Sequence, residues 1–340
     1  MIEVAIFGAG HWGPHLIRNF DNRQRSRVGW VVDRDRARLD EVQMRFPEVK
    51  VAEDASEAFG DDGIDAVVVA TPSTTHFGLA KEALERGKNV LVEKPIATSS
   101  KHAKELADLA ASTGRVLMVG HVFVYNAAVQ RVMEYIRAGE LGRVFYVSMV
   151  RTNLGPIRTD VNAAWDLAAH DLSIADHWLG GHAQTASAVG GGWINAGLED
   201  VVFATLRYPG DVLVSLHVSW LDPRKARDIT VVGDHKMLTF DDMNLTEPIR
   251  IYDKRVTHEL VDRPFTDTFS SFRASIREGD VTIPKVAVTE PLMTECMHFL
   301  DCIERGAQPL TGGAEGLAVV RTLEAIEASM RAGGRETPVA

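Results

Sequence analysis

The fold is decided by the first stretch of the chain, Ile2-Glu3-Val4-Ala5-Ile6-Phe7-Gly8-Ala9-Gly10-His11-Trp12-Gly13. Mostly apolar residues, enough for one buried strand, run directly into a glycine-rich turn. Apolar residues then recur with helical spacing over residues 11–20. A G-x-G-x-x-G sequence is weak on its own, but between a strand and a helix it indicates a dinucleotide-binding βαβ unit. An incidental glycine-rich turn is the alternative, and this context disfavours it.

Each residue of the turn has an expected task. Gly8 permits the tight turn, Gly10 lets the backbone approach a pyrophosphate, and Gly13 allows the helix to pack closely on the strand. The amides at the start of the helix then bind the phosphates. His11 and Trp12 lie between the second and third glycines, and we expect them to contact the same cofactor.

Asp33 ends the second predicted strand, about 20 residues beyond the turn, where an acidic residue recognises the adenosine ribose. Its carboxylate would also repel the 2′-phosphate of NADP, so we expect NAD as the cofactor. Arg34 follows directly and can instead hold that phosphate, which leaves NADP as the less favoured alternative. Asp33 can also serve as the N-cap of the next helix.

The first third of the chain alternates short apolar runs with amphipathic stretches. The predicted strands are 2–7, 28–32, 66–70, 89–92 and 116–119, and the predicted helices are 11–20, 36–45, 75–86 and 100–112. Strands that are apolar on both faces and alternate with helices indicate a parallel, doubly wound α/β sheet. We therefore expect a Rossmann domain that binds the dinucleotide over residues 1–120.

The pattern changes beyond this point, because strands follow one another with few helices between them. The predicted helices are 127–138, 163–179, 290–304 and 316–330, and the predicted strands are 143–152, 185–193, 201–208, 212–220, 228–232, 236–240 and 250–252. Residues 212–220 alternate between apolar and polar, which is typical of an antiparallel strand with one solvated face. Residues 121–340 are expected to form an α+β domain on a large, mostly antiparallel open sheet.

Composition excludes several classes of function. The 340 residues are 45% hydrophobic and 25% charged, ordinary values for a folded globular protein. A net charge of −10 argues against a broad basic surface and therefore against general nucleic-acid binding. No apolar run is long enough to span a bilayer and no leader pattern follows Met1, so we expect a cytoplasmic protein without a membrane partner. Cys296 and Cys302 are expected to be free thiols.

Two segments follow predicted strands at the edge where open α/β sheets bind their ligands. Thr71 and Pro72 follow strand 66–70, and His76 begins the next helix. We expect all three to contact the cofactor. The alternatives are an ordinary proline turn and a capping or surface histidine.

Glu93-Lys94-Pro95 follows strand 89–92 at the same edge. Lys94 can donate a hydrogen bond to a hydroxyl, stabilise an alkoxide or exchange a proton with it. Glu93 and Lys94 are also expected to contact the cofactor. A surface lysine at the exit of a strand is the alternative.

A second group of polar residues lies in the segment Trp165-Asp166-Leu167-Ala168-Ala169-His170-Asp171. Asp166 and His170 are four residues apart and therefore share one face of the predicted helix. A carboxylate one turn from an imidazole can orient it and support its protonation. A solvated polar stripe is the alternative. A zinc site that adds His177 lacks a known ligand motif, and nicotinamide chemistry needs no metal, so we expect no metal.

Taken together, the turn at 8–13, Glu93-Lys94-Pro95 and Asp166-x-x-x-His170 resemble the Gfo/Idh/MocA oxidoreductases over essentially the whole chain. The resemblance implies an NAD-binding Rossmann domain and a C-terminal α/β domain that binds substrate and whose open sheet often mediates oligomerisation. A homo-oligomer, either a dimer or a tetramer, is therefore expected. The resemblance also implies acid/base roles for a lysine and a histidine around a sugar-like hydroxyl. We assign these roles to Lys94 and His170, with Asp166 beside the substrate or the imidazole.

The chain departs from this family at two points. Many members have an arginine before an aromatic residue after the sixth strand, where this chain reads Gly120-His121-Val122-Phe123-Val124-Tyr125-Asn126. Many also have an acid three residues after the histidine, where this chain has Ser173. Cyclitol specificity is therefore not carried over. The segment from Trp165 to Asp171, with Trp12 in the glycine turn, looks more like nucleotide-sugar dehydrogenases.

The expected reaction is hydride transfer between nicotinamide C4 and a secondary hydroxyl carbon of a sugar, preferably a nucleotide-linked one. Arg151 and Arg158 are placed to meet a phosphate or carboxylate. The residues expected to contact the substrate are Lys94, Tyr125, Asn153, Arg158, Trp165, Asp166 and His170. An inositol or free-sugar dehydrogenase and a non-catalytic NAD-binding regulator are the alternatives.

Overall fold

The computed structural model describes residues 1–22, 24–256 and 276–340. The chain divides into two compact units. The first contains Met1–Asn126 and Thr289–Glu324, and the second contains Ala127–Val288 and Ala325–Ala340. Among the described residues, no helix combines the length and the apolar character that crossing a membrane requires.

A six-stranded parallel sheet lies at the centre of the first unit. Its strands are β1 (Ile2–Phe7), β2 (Ser26–Val32), β3 (Lys50–Ala52), β4 (Ala66–Val69), β5 (Asn89–Glu93) and β6 (Leu117–Gly120). They lie in the order 3-2-1-4-5-6, so the strand order reverses beside β1. All four residues of β4 are buried, as expected for a strand covered on both faces. The predicted Rossmann sheet is confirmed.

Five helices connect these strands. They are α1 (Gly13–Phe20), α2 (Arg36–Arg45), α3 (Ala55–Phe59), α4 (Ser73–Glu85) and α5 (Ser100–Thr113), and a 3₁₀ turn (Val122–Tyr125) follows β6. The short elements β3 and α3 were not predicted, because three and five residues are too few to display a period. Their position between β2 and β4 completes the alternation of strands and helices.

The second unit is built on a nine-stranded sheet. Its strands are β7 (Val144–Leu154), β8 (Thr185–Gly191), β9 (Val201–Tyr208), β10 (Val212–Ser219), β11 (Leu221–Gly233), β12 (Met237–Asp241), β13 (Ile249–Val256), β14 (Ile276–Thr282) and β15 (Thr337–Pro338). They lie in the order 14-13-12-11-7-10-9-8-15. Only the β10–β7 pair among these described strands is parallel, so the predicted mostly antiparallel sheet is confirmed.

Helices of the second unit cover one face of this sheet. They include α6 (Ala127–Arg137) and α7 (Ala169–Leu179). The indole of Trp178 packs edge-on against Phe240 at 6.3 Å, and the hydroxyl of Tyr208 donates a 2.7 Å hydrogen bond to Asp176. On the opposite face, alternate residues of β9 are exposed, with Phe203 50% exposed. One predicted helix over 163–179 is in fact a π-helical turn (Ala164–Ala168) followed by α7.

The chain continues through α8 (Pro291–Arg305) and α9 (Gly313–Arg331). Residues 289–324 belong to the first unit, which differs from the expected division at residue 120. The physical reason is the apolar face of α8: Phe299 is fully buried, and its ring meets the ring of Phe20 on α1 edge-on at 6.1 Å. Sequence patterns could not reveal that the chain comes back to the first unit here, because Phe20 and Phe299 are far apart in sequence.

Truncating Phe299 should therefore destabilise the first unit. We expect Phe299→Ala to lower the free energy of unfolding by about 3–5 kcal/mol, the usual cost of removing a buried aromatic ring. Met293→Ala is the matched control on the same helix, because Met293 is 50% exposed and its loss should change stability by less than about 0.5 kcal/mol. Urea unfolding of the full chain measures both values. Equal effects of the two substitutions would contradict this assignment of α8.

Candidate active site

The glycine turn at the carboxyl end of β1 brings three backbone segments into contact. Gly8 has φ +104°, and a Cβ there would lie 2.5 Å from the carbonyl oxygen of Ala70, which follows β4. A Cβ at Gly13 would overlap the carbonyl oxygen of Gly8. Both positions therefore require glycine. Gly8 needs it for its positive φ and for the close approach of Ala70, and Gly13 needs it only for the close approach of the Gly8 carbonyl. The tasks predicted for these two glycines follow from this geometry.

Gly10 faces a more open space. A Cβ there would meet only Nη1 of Arg38, at 3.5 Å, among the described atoms within 4 Å. The neighbouring α1 begins without a side-chain cap from the described residues, and Pro14 lies at its N-terminus. Pro14 has no N–H and the amide of His15 donates to the Trp12 carbonyl, so the donors nearest this space are the amides of the turn, beside the positive end of the helix dipole. Such a cradle fits the pyrophosphate of a dinucleotide.

Asp33 connects the end of β2 to the glycine turn. Its Oδ2 accepts a 2.7 Å hydrogen bond from the amide of Ala9, and its Oδ1 accepts one of 2.9 Å from the amide of Asp35. The alternative role as a helix cap is not realised, because Asp35 caps α2 through the amide of Ala37. The neighbouring Arg34 is exposed. Carboxylate oxygens accept more than one hydrogen bond, so Asp33 retains acceptor capacity for a ribose hydroxyl.

His76 joins the two loops that follow β4 and β5. It is 2% exposed, and its ring nitrogens lie 2.8 Å from the carbonyl oxygens of Thr71 and Pro95. The ring is thus oriented towards the backbone of these loops. The Thr71 hydroxyl accepts a 2.7 Å hydrogen bond from the hydroxyl of Thr75, and Pro72 immediately precedes α4. The alternative of a surface histidine is wrong.

Lys94 lies beside two buried ionisable groups at this sheet edge. Because Glu93 pairs with Gly120 in the β5–β6 register, the next residues, Lys94 and His121, follow adjacent strand ends. Removal from water raises the pKa of Glu93 to about 7, against the opposing charge of Lys94. Burial, reinforced by the Lys94 charge, lowers the pKa of His121 to about 3. At neutral pH His121 is therefore an uncharged neighbour of Lys94.

His121 and Glu295 were not singled out by the sequence analysis. Neither ring nitrogen of His121 has a hydrogen-bond partner among the described residues. Burial, and then the charge of Glu93, raise the pKa of Glu295 well above its usual value. Glu295 lies on α8, so its proximity to the end of β5 could not be read from local sequence. His121 carried a signal, because it directly follows a predicted strand at the ligand edge.

Tyr125 lies in the core of the first unit. It is 3% exposed, and its hydroxyl lies 3.1 Å from that of Thr311. Burial raises the pKa of Tyr125 above its usual value. The ring packs near His298 of α8, with 5.6 Å between ring centroids. The polar atom of Tyr125 therefore points into the core, and its expected contact with the substrate stays a prediction.

In the second unit, Asp166 and His170 fall in different kinds of helix. Asp166 is in the π-helical turn, and His170 is the second residue of α7. The simple α-helical spacing assumed for the pair does not hold through a π turn, which has a wider repeat. Asp166 accepts a 3.2 Å hydrogen bond from the indole of Trp220, and the hydroxyl of Ser173 donates one of 2.7 Å to the His170 carbonyl.

Three other expected substrate residues are engaged within the second unit. Arg158 donates hydrogen bonds of 2.9 and 2.6 Å to Asp160 and lies 3.4 Å from Asp166. The indole of Trp165 donates a 2.7 Å hydrogen bond to Glu327, far along the chain. The Asn153 amide donates to the carbonyl of Gly155. Of these groups, the partly exposed Arg158 remains the most accessible to a ligand, and it is already matched by two carboxylates.

Arg151 forms a buried ion pair with Asp171. Its Nε and Nη2 lie 2.9 and 2.7 Å from the same carboxylate oxygen, and both side chains are 5% exposed or less. Burial raises the pKa of Asp171, while the Arg151 charge opposes that shift. Arg151 thus connects β7 to α7, which contradicts the expectation that it meets a substrate anion. Sequence could not reveal the pair, because its members are on different elements.

Two family profiles match the chain. The NAD-binding Rossmann domain of the oxidoreductase family matches residues 2–121, and the GFO/IDH/MocA C-terminal domain matches residues 129–239. The chain belongs to the GFO/IDH/MocA oxidoreductase family. This confirms the resemblance and the expected cofactor, NAD. It also confirms the enzyme class, an oxidoreductase.

Individual members of the GFO/IDH/MocA family are distant in sequence. The scyllo-inositol 2-dehydrogenase (NAD(+)) of Bacillus subtilis is 25% identical over 328 residues, covering 91% of this chain and 88% of its own. GenD2 from gentamicin A biosynthesis, solved with NAD, is 26% identical with a TM-score of 0.80, covering 99% of this chain and 96% of its own. The UDP-N-acetylglucosamine 3-dehydrogenase GnnA of Acidithiobacillus ferrooxidans is 22% identical with a TM-score of 0.80, covering 97% and 99%. That last likeness shows the fold alone.

In this GFO/IDH/MocA protein, we expect Gly10→Ala to weaken NAD binding without destabilising the fold. The added methyl has room in the protein but occupies the pyrophosphate cradle, so we expect the Kd for NAD to rise on the order of tenfold or more. The melting temperature should stay close to that of the unmodified protein. Isothermal titration calorimetry and thermal unfolding measure the two effects.

Gly78→Ala on α4 is the matched control, because its Cβ would meet no described atom within 4 Å and should leave NAD affinity unchanged. Gly13→Ala should instead lower both affinity and melting temperature, since its Cβ overlaps the turn itself. Unchanged NAD affinity in Gly10→Ala would rule out the proposed cradle.

Proposed function

We propose that the protein oxidises a secondary ring hydroxyl of a sugar or cyclic polyol, with NAD as the hydride acceptor. The observation that carries this proposal is the position of Lys94 at the carboxyl edge of the NAD-binding sheet, beside the uncharged His121. A lysine that follows β5 at the ligand edge is suited to a group that reacts there. The similarity to scyllo-inositol 2-dehydrogenase supports the same class of substrate.

In the proposed reaction the protein supplies charge and proton transfer. NAD, when bound, provides a hydride acceptor at C4 of its nicotinamide ring. His170 is proposed to accept the proton of the substrate hydroxyl, and Lys94 to donate a hydrogen bond to the substrate and to stabilise developing negative charge. Asp166 orients the substrate ring or the imidazole. These three residues are the proposed catalytic set.

The charges of the second unit favour a substrate without phosphate groups. Arg151 is buried against Asp171, and Arg158 is already paired with Asp160. A diphosphate would have to displace Asp160 to reach the Arg158 guanidinium. A free sugar or inositol, recognised through hydroxyl hydrogen bonds, requires no such rearrangement. The first candidate is therefore a neutral cyclic polyol.

A nucleotide-linked sugar is the second candidate, and one observation favours it. Arg158 is 38% exposed, and exposed ion pairs contribute little free energy, so its exchange from Asp160 to a phosphate costs little. Asn153 and Trp165 are proposed to shape the substrate site in either case, and Tyr125, whose hydroxyl points into the core, is proposed to support that site through packing. His11, Trp12, Thr71, Pro72, His76 and Glu93 are proposed to line or support the NAD site.

We also propose a homo-oligomer, a dimer or a tetramer, assembled through the open sheet face of the second unit. Phe203 and His217 stack on this face with 4.3 Å between ring centroids, next to the exposed Leu213 and Val189. Apolar and aromatic side chains of this kind are enriched where proteins associate.

A substrate screen distinguishes the two candidates. We expect NADH absorbance to rise with an inositol or a free sugar, and to rise less or not at all with UDP- or TDP-sugars at equal concentration. The physical reason is that both arginines suited to phosphate are matched by carboxylates. Arg158→Gln is the informative variant: it should reduce turnover of a nucleotide sugar far more than that of a neutral polyol. No turnover of either class, with intact NAD binding, would favour a regulator.

Replacing the proposed acid/base groups should reduce turnover of the best substrate. We expect Lys94→Ala and His170→Ala each to lower kcat by on the order of 10²–10⁴, the usual contribution of such groups. NAD affinity measured by calorimetry should survive His170→Ala. Lys88→Ala, a lysine just before β5 rather than after it, is the matched control and should leave kcat unchanged. A normal kcat in both Lys94→Ala and His170→Ala would exclude this mechanism.

A further inference from the structure

His76 is a buried histidine with hydrogen-bond acceptors at both ends of its ring. Nδ1 lies 2.8 Å from the carbonyl oxygen of Pro95, and Nε2 lies 2.8 Å from that of Thr71. The two carbonyls belong to the loops after β5 and β4, which are adjacent in the sheet. The ring therefore spans the gap between two loops at the ligand edge.

The chemistry of these contacts constrains the charge of the ring. A backbone carbonyl oxygen only accepts hydrogen bonds, whereas a neutral imidazole carries one N–H and one lone pair. In either neutral tautomer, one lone pair would point at an oxygen 2.8 Å away. Only the imidazolium donates at both ends. Two charge-assisted hydrogen bonds then offset part of the cost of burying the charge.

We propose that His76 is a positively charged positioning residue that fixes the Lys94 loop to the Thr71 loop. Its contacts continue to the glycine turn, because a Cβ at Gly8 would lie 2.9 Å from the amide nitrogen of Thr71. A continuous series of backbone contacts thus runs from the pyrophosphate cradle through His76 to Pro95. Since Lys94 precedes Pro95, the position of its side chain depends on the His76 ring. The inference rests on the proposed role of Lys94.

Several titratable groups lie on the described elements next to His76. Glu93 and Lys94 precede Pro95, His102 lies on α5, which packs against α4, and Lys81 lies on α4 itself. His102 stacks on Phe77 and Lys81 pairs with Glu105 of α5. The charge of Glu93 would favour a cationic ring and that of Lys94, one residue closer to Pro95, would oppose it, so the two carbonyl acceptors are the groups that decide the charge of His76.

The charge of the ring can be observed directly in the full-length protein. Long-range ¹H–¹⁵N correlation spectra of histidine-labelled protein at pH 7 report whether each ring nitrogen carries a proton, and His76→Gln identifies the His76 signals. We expect protons on both nitrogens. A spectrum with one unprotonated nitrogen at His76 would overturn the proposal. His102→Gln is the control, and it should leave the His76 signals unchanged.

The positioning role is tested by kinetics with the best substrate from the screen. We expect His76→Gln to lower kcat by tenfold to on the order of 10²-fold, because misplacing a reacting group by about 1 Å has effects of this size. His102→Gln, the same substitution on the neighbouring helix, should leave kcat unchanged. An unchanged kcat in His76→Gln, or equal losses in both variants, would overturn the positioning role.

Failure of this inference is distinguishable from failure of the proposed function. If Lys94 has no part in turnover, Lys94→Ala retains normal kcat. The ring charge of His76 is still decided by its spectrum, which requires no substrate. If Lys94→Ala is impaired and His76→Gln is not, the proposed function stands and the positioning role of His76 falls.

Discussion

The close approach of two backbones, at Gly8 and Ala70, is the constraint on which the NAD-binding unit depends. A side chain at Gly8 would separate the exits of β1 and β4, and one at Gly13 would lift α1 from the turn. With both absent, the turn lies directly against the start of α1, and Asp33 fixes the turn through the amide of Ala9. The proposed phosphate site is therefore made of main-chain amides. Its presence is compatible with a net charge of −10, because backbone amides do not enter a charge count.

The second unit relies on a different kind of constraint, a buried ion pair. Arg151 on β7 and Asp171 on α7 are both withdrawn from water, which costs free energy that their attraction only partly returns. The pair is therefore weak evidence for stability, but its two hydrogen bonds connect the two elements. Asp171 directly follows His170, so the pair fixes the first turn of α7 relative to β7. The backbone of His170 is thereby held in place by an ion pair in which its imidazole ring takes no part.

The elements predicted well were those whose signal is local. The strands of the first unit, the glycine turn and the edge position of Lys94 all follow from short-range pattern and the rule that ligands bind at the carboxyl edge. Several polar side chains have partners that local sequence could not reveal: Tyr125 with Thr311, Trp165 with Glu327 and Arg151 with Asp171. The return of α8 to the first unit is of the same kind. An isolated sequence shows that a polar residue needs a partner, but it does not show which one.

Charge at the sheet edge bears on which residue accepts the substrate proton. Loss of hydration raises the pKa of Glu93 to about 7, so its carboxyl gains negative charge as the pH rises through neutrality. A negative Glu93 complements the charge of the Lys94 ammonium, which can donate a hydrogen bond but cannot accept a proton. His121 stays neutral, because burial and the Lys94 charge hold its pKa at about 3. In the direction of oxidation, which mildly alkaline pH favours, Lys94 is therefore better suited to stabilise the alkoxide. This is consistent with the proposed role of His170 as the group that accepts the proton.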